Sequence, residues 1–166
     1  SSDVCSSDLL ENPKNHWMRK GVREKINTFQ QTIINEEFSK AVEEHRVEEI
    51  YWVGGEPLMF EEHWKYMRRI IELGDGHRVY ARYNTNLSRV SFGDTHLFTD
   101  ILDHIKDWQI CASIDGTGVV GEYIRTGLHY TNWLENFRQG LRHSRHRRQM
   151  RLDFTLTLPG MFEIKN

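Results

Sequence analysis

The stretch VEEIYWVGGEP, residues 47–57, decides how the chain is read. Val47, Ile50, Tyr51, Trp52 and Val53 make a bulky, strand-forming segment, and Gly54-Gly55 ends it. Pro57 cannot join a sheet ladder and is tolerated where a helix begins, so a helix is expected at once. Its apolar stripe is Phe60, Trp64, Met67 and Ile71. Glu61 and Glu62 suit its positive N-terminal end, and Gly74 and Gly76 stop it. A strand that ends in glycine and opens straight into an amphipathic helix is one βα unit.

The unit recurs downstream. RVYARYNTN, 78–86, reads as a second strand, and Leu97, Phe98, Ile101, Leu102 and Ile105 as the next helical stripe. WQICASID, 108–115, is a third strand, followed by a glycine-rich loop and a helix carrying Trp133, Leu134, Phe137 and Leu141. RLDFTLTL, 151–158, is a fourth, stopped by Pro159-Gly160. Upstream, Ile34, Phe38, Ala41 and Val42 mark a helix within 28–45, whereas 11–27 is polar and low in pattern. Strands separated by helices predict an α/β fold with parallel strands. Right-handed crossovers put the helices on one side if the sheet curls as an open, TIM-like (β/α) barrel. In such folds the ligand lies at the carboxyl ends of the strands. Three of those ends are polar here: Gly54-Gly55-Glu56, Asn84-Thr85-Asn86 and Ser113 to Asp115. The fourth reads as bland.

Each polar end has a plain reading and a functional one. Gly54 and Gly55 let a ligand approach the main chain, and Glu56 adds a carboxylate, a set that suits an ammonium group. The plain reading is a strand-to-helix turn with an exposed acid. Asn84, Thr85 and Asn86 either line the same rim or form a turn or cap. Ser113 and Asp115 share a strand face and suit a ribose diol, or they begin an Asp-Gly turn. Arg125 could clamp a carboxylate bidentately or stand solvated.

GTGVVG, 116–121, matches the dinucleotide-binding string, so an NAD(P)-dependent oxidoreductase is an alternative. It lacks the expected acid at the end of the next strand, and Gly127 interrupts the helix. The run from Arg138 to Arg151 holds Arg142, Arg145, Arg147 and Arg148 with no acid, so a non-catalytic phosphate or nucleic-acid module is another alternative. It has no interleaved aromatics for base stacking, and a solvated helix end explains it as well.

Composition narrows the classes. The 166 residues suffice for one ordinary core, and a net charge of −2 gives no global field for nucleic acid or membrane. No apolar run reaches the roughly 20 residues of a membrane helix, and no signal-peptide pattern is present. Cys5 and Cys111 cannot make a disulfide framework, so a reducing, cytoplasmic setting is expected. The nine histidines show no paired ligand spacing, and no metal site is read. Residues 1–10, SSDVCSSDLL, repeat Ser-Ser-Asp without period and look like a translated sequencing adapter, the plain alternative being a disordered native tail; the adapter reading removes Cys5 from the chemistry. Domain material is expected over 11–166.

The order of these parts resembles the radical S-adenosylmethionine (SAM) enzymes over residues 11–166. SIDGTGVVGEYIRTG is most similar to the subgroup with a SPASM or twitch domain, and NPKNHWMRKG, 12–21, resembles the segment just after that subgroup's cluster loop. The resemblance implies about four βα units of a (β/α)6 core. It implies that Gly54, Gly55 and Glu56 hold the methionyl ammonium of SAM and that Asn84, Thr85 and Asn86 line the pocket. Ser113 and Asp115 would face the ribose or methionyl part, and Arg125 the carboxylate. It also implies a [4Fe–4S] cluster and a 5′-deoxyadenosyl radical in an intact parent, with a peptide or small molecule as substrate. The family's C-x-x-x-C-x-x-C loop is absent from this sequence. The expectation is therefore an internal fragment, truncated at both ends and inactive alone.

Overall fold

The computed structural model describes residues 20–162. The chain divides into two compact units, Ser1–Val47 and Glu48–Asn166. The expectations for residues 1–10, and for all of 12–21 but its last two residues, lie outside the described residues.

In the first unit, α1 (Lys20–Thr32) runs into a π-helical turn (Ile33–Phe38) and then α2 (Ser39–Glu43). Helix therefore begins eight residues before the expected 28. Val22, Ile26 and Phe29 form a sparse stripe spaced by four and three, which long polar stretches conceal in the sequence.

The second unit is built on one parallel sheet. Its strands are β1 (Glu49–Trp52), β2 (Tyr80–Thr85), β5 (Asp107–Ile114) and β6 (Met150–Phe154), ordered β1-β2-β5-β6. A two-stranded antiparallel hairpin, β3 (Ser91–Phe92) and β4 (Thr95–His96), turns at Gly93-Asp94 and was not expected. β1 is followed by a 3-10 turn (Pro57–Met59) and α3 (Glu61–Glu72). β4 leads to a π-helical turn (Leu97–Ile101) and a 3-10 turn (Leu102–His104). After β5 come α4 (Gly118–Ile124) and α5 (Tyr130–His143), and after β6 the short α6 (Leu158–Met161).

The sheet has two unlike faces. In register, Ile50, Ala81 and Trp108 share a row, as do Tyr83 and Ile110, and all five are buried. Trp108 lies 6.1 Å from Phe98, and the Cβ position of Gly140 in α5 touches Met150, so the helical layer packs on this face. The alternate positions, Tyr51, Arg82 and Gln109 in one row and Asn84, Cys111 and Arg151 in the next, are polar or half-exposed. Parallel strands usually read as continuous apolar runs because both faces are covered. Here burial along β2 and β5 has a period of two.

Three stripes are corrected. In α3 the buried residues are His63, Trp64, Tyr66, Met67 and Ile70. Phe60 lies before the helix, 53% exposed and beside Gly55, and Ile71 is only half-buried. In α5, Trp133 is buried but Leu141 is 51% exposed. The stripe from Leu97 to Ile105 is fully buried, yet it is carried by irregular turns rather than an α-helix. β6 ends at Phe154, four residues early, and Pro159-Gly160 lie within α6.

His63 is fully buried within a shell of rings. Trp52, Trp64 and Tyr83 meet it edge-on at centroid distances of 5.0, 4.8 and 5.4 Å. Its Nε2 lies 3.1 Å from the Tyr83 hydroxyl, and its Nδ1 has no partner among the described residues. Burial pulls its pKa from 6.5 to about 3, because an imidazolium there would lose its hydration. The folded state therefore binds fewer protons than the unfolded chain between those values. Stability should be insensitive to this group above pH 6.5 and fall by about 1.4 kcal/mol per pH unit below it, until about pH 3. Urea melts of His63→Phe/Tyr83→Phe, which removes both polar ends together, should lose that part of the acid slope. An unchanged slope would show that His63 is not its source.

Candidate functional site

The chain leaves β1 through Val53 into Gly54 and Gly55, with φ of 90° and 50°, a left-handed path that side chains resist. Both glycines are exposed, and a Cβ on Gly54 would meet nothing within 4 Å. Main chain is thus open to a ligand. Glu56 behaves differently: it is 2% exposed. Its Oε1 accepts from the Leu58 amide at 3.2 Å, which caps the 57–59 turn, and from the Thr85 hydroxyl at 2.5 Å. Its Oε2 accepts from the Asn86 amide at 2.7 Å.

Parallel pairing explains why these groups meet. Trp52 sits opposite Tyr83, so the chain just past β1 lies beside the end of β2. One buried carboxylate therefore ties two strand exits together. The tie continues: Thr85 Oγ1 accepts from the Leu87 amide at 2.9 Å, and Asn86 Oδ1 from the Ser88 amide at 2.9 Å. Leu87 holds φ of 51°, a costly conformation for a residue with a Cβ, and Asn136 of α5 donates to its carbonyl at 3.0 Å. Asn84 lies on the polar face, half-buried, with Cys111 as its register neighbour.

A second cluster forms where β5 ends. Arg125, the residue after α4, donates through Nε to Asp115 Oδ2 at 2.7 Å and through a terminal nitrogen to the Ser113 carbonyl at 3.3 Å. Asp115 is 9% exposed. The pair is thus largely withdrawn from water, where a charge-assisted hydrogen bond is strong. Ser113 faces Asp153 of β6 in register.

The fourth strand end is not bland. Thr157 Oγ1 donates to the Asp115 carbonyl at 3.4 Å and accepts from the Gly160 amide at 3.1 Å. A Cβ on Gly160 would stand 2.6 Å from that same carbonyl. Thr157 was missed because its strand was expected to run to 158. A Thr-x-x-Gly pattern past a strand was the available signal.

The expected residues therefore stand at the ends of three adjacent strands, β1, β2 and β5, with Arg125 reaching back from the end of α4. Glu56, Thr85 and Asn86 form one cluster and Ser113, Asp115 and Arg125 another. Thr85 pairs with Ala112, so Asn86 and Ser113 come next at neighbouring places. The clusters are internally satisfied, however. The Glu56 carboxylate uses three of about four acceptor sites, and Arg125 uses two of five donors. What the rim offers a ligand is open glycine backbone, leftover capacity on one acid and one base, and the half-buried Asn84 and Ser113.

Two glycines of GTGVVG, Gly116 and Gly121, have a packing role. A Cβ on Gly121 would collide with the Gly116 carbonyl, so the loop and α4 touch backbone to backbone. With seven residues, α4 is too short to carry a strong terminal dipole.

Among the described residues, no group of three or more His, Cys, Asp and Glu side chains could hold a metal. Cys111 stands in mid-strand, so the donors a [4Fe–4S] cluster requires do not occur there. No helix among the described residues is long and apolar enough to cross a membrane. Comparison with known proteins finds no matching family model, no similar curated protein and no similar solved structure.

Proposed function

We propose that the second unit is part of the core of a radical SAM enzyme and that its carboxyl-end rim binds SAM. The observation that carries this reading is the convergence of the Glu56 and Arg125 clusters on one edge of three neighbouring parallel strands. A sheet whose order never reverses, with its helical layer on one face and a polar opposite face, supports the winding of an open (β/α) barrel. A dinucleotide fold binds where strand order reverses, and the order β1-β2-β5-β6 has no such point.

In this reading the residues divide the ligand by its chemistry. The Gly54 and Gly55 carbonyls and the spare Glu56 lone pair receive the ammonium. Arg125 keeps three donors for the carboxylate while Asp115 fixes its orientation. Ser113 and Asn84 meet the nucleoside hydroxyls. Glu56 and Asp115 also hold the rim in shape before ligand arrives, which lowers the ordering cost of binding. The cluster's ligands do not occur among the described residues, and no redox step is assigned to them. A peptide or other small molecule remains the substrate class that the resemblance implies.

Thermal unfolding of the whole chain tests the reading. SAM should raise the midpoint in a saturable way, and 5′-methylthioadenosine, which lacks the amine and carboxylate, should raise it far less. A larger rise with NAD than with SAM would overturn the reading in favour of the dinucleotide alternative.

A further inference from the structure

The fold splits the arginine run 138–151 into two sets. Arg142 is paired with Glu135 at 2.7 Å, and Arg145 donates to the Ile105 carbonyl at 2.9 Å. Arg147, Arg148 and Arg151 instead line an open hollow of about 620 Å³ with Tyr80, Gln109, Asp107 and His146. Tyr80 and Asp107 are the first residues of β2 and β5, so the hollow lies at the amino ends of the strands, away from the Glu56–Arg125 rim.

Charge at this hollow is unbalanced. Among the described residues, none of these three guanidiniums is paired with a carboxylate, whereas Arg69, Arg78, Arg82, Arg125 and Arg142 all are. The one acid in the lining, Asp107, is already engaged. Its Oδ1 accepts from the Gln149 side chain at 2.7 Å and the Trp108 amide at 2.8 Å, and lies 3.1 Å from His146 Nε2. Three guanidiniums against the single Asp107 carboxylate leave the lining net positive, and a bound anion would offset that excess. Guanidinium forks match phosphate oxygens bidentately. The Tyr80 hydroxyl in the lining is a further hydrogen-bond donor at neutral pH. The volume falls within the range of small-molecule pockets.

We propose that this hollow binds a phosphate-bearing small molecule, gripped by Arg147, Arg148 and Arg151. The site is independent of SAM binding, and either can fail alone. Calorimetric titration of the whole chain with inorganic pyrophosphate, at fixed ionic strength, is the test. Saturable binding should weaken at least tenfold in Arg148→Ala/Arg151→Ala and hardly change in Arg138→Ala/Arg142→Ala, which removes the same charge elsewhere in the run. Arg148→Lys/Arg151→Lys should fall between, since charge is kept and the fork is lost. Far-ultraviolet circular dichroism shows that each variant is folded. Equal weakening in both alanine pairs, or no saturable binding, would overturn the proposal. So would affinity for single-stranded oligonucleotides that rises with their length and depends equally on both pairs, because that describes a spread basic surface rather than a hollow.

Discussion

Glu56→Ala should destabilise the second unit by about 3 kcal/mol, because it strands buried donors that the carboxylate now satisfies. The Leu58 amide, the Thr85 hydroxyl and the Asn86 amide all lose their acceptor, and at 2% exposure water cannot simply replace it. Thr85 can rotate its hydroxyl, but the two amides cannot move. Glu56→Gln is the sharper variant. It keeps one acceptor oxygen for Thr85 and Leu58 but presents an NH2 to the Asn86 N–H, donor against donor. Its cost should be about half as large. Denaturant midpoints measure both. If both variants melt within experimental error of the parent, Glu56 is not the tie between β1 and β2.

The second large effect is expected at Gly121. A Cβ there would overlap the Gly116 carbonyl oxygen and lie 2.7 Å from its carbon, with Leu128 at 3.4 Å on another side. Backbone faces backbone, so no side chain can turn away to make room. Overpacking of this kind costs about 1–3 kcal/mol, and Gly121→Ala belongs at the upper end of that range. Gly118→Ala is the control. It sits in the same string with φ of 49°, but nothing lies within 4 Å of its Cβ position, so only conformational strain of about 1 kcal/mol is expected. Urea melts should rank Gly121→Ala well below Gly118→Ala. The reverse order would show that left-handed backbone, not loop-to-helix contact, explains the glycines.

The strands were legible as bulky segments bounded by glycine or polar turns, and burial in β2 and β5 alternates with a period of two. WQICASID carries that alternation, VEEIYWV is a bulky run stopped by Gly54-Gly55, and both strands fall within two residues of their expected bounds. The hairpin was not legible because each of its strands has only two residues, too few to show a period, although Gly93-Asp94 marks its turn. The stripe from Leu97 to Ile105 gave burial correctly and helix type wrongly, since π-helical and 3-10 turns bury similar positions.

At the rim, the sequence placed the expected residues at neighbouring strand ends but did not give their partners. Spacing cannot reveal that Glu56 reaches 29 residues on to Thr85, because only parallel pairing brings them together. Glu56, exposed in the plain reading of its turn, is buried, and Arg125, solvated in its plain reading, is held by Asp115. Both are braces as well as candidate ligand contacts. Thr157 escaped notice because its position depended on where β6 stops, and Pro159 was read as the stop.

SAM binding at the carboxyl ends of β1, β2 and β5 is the central claim. Amide and arginine side-chain NMR spectra of the whole chain, recorded as SAM is added, test it most directly. The predicted result is saturable shifts at Gly54, Gly55, Asn86 and Ser113, together with the Arg125 Nε–H, while the amides of 147–151 stay in place. Shifts confined to the amino ends of the strands, or none at millimolar SAM, would contradict it.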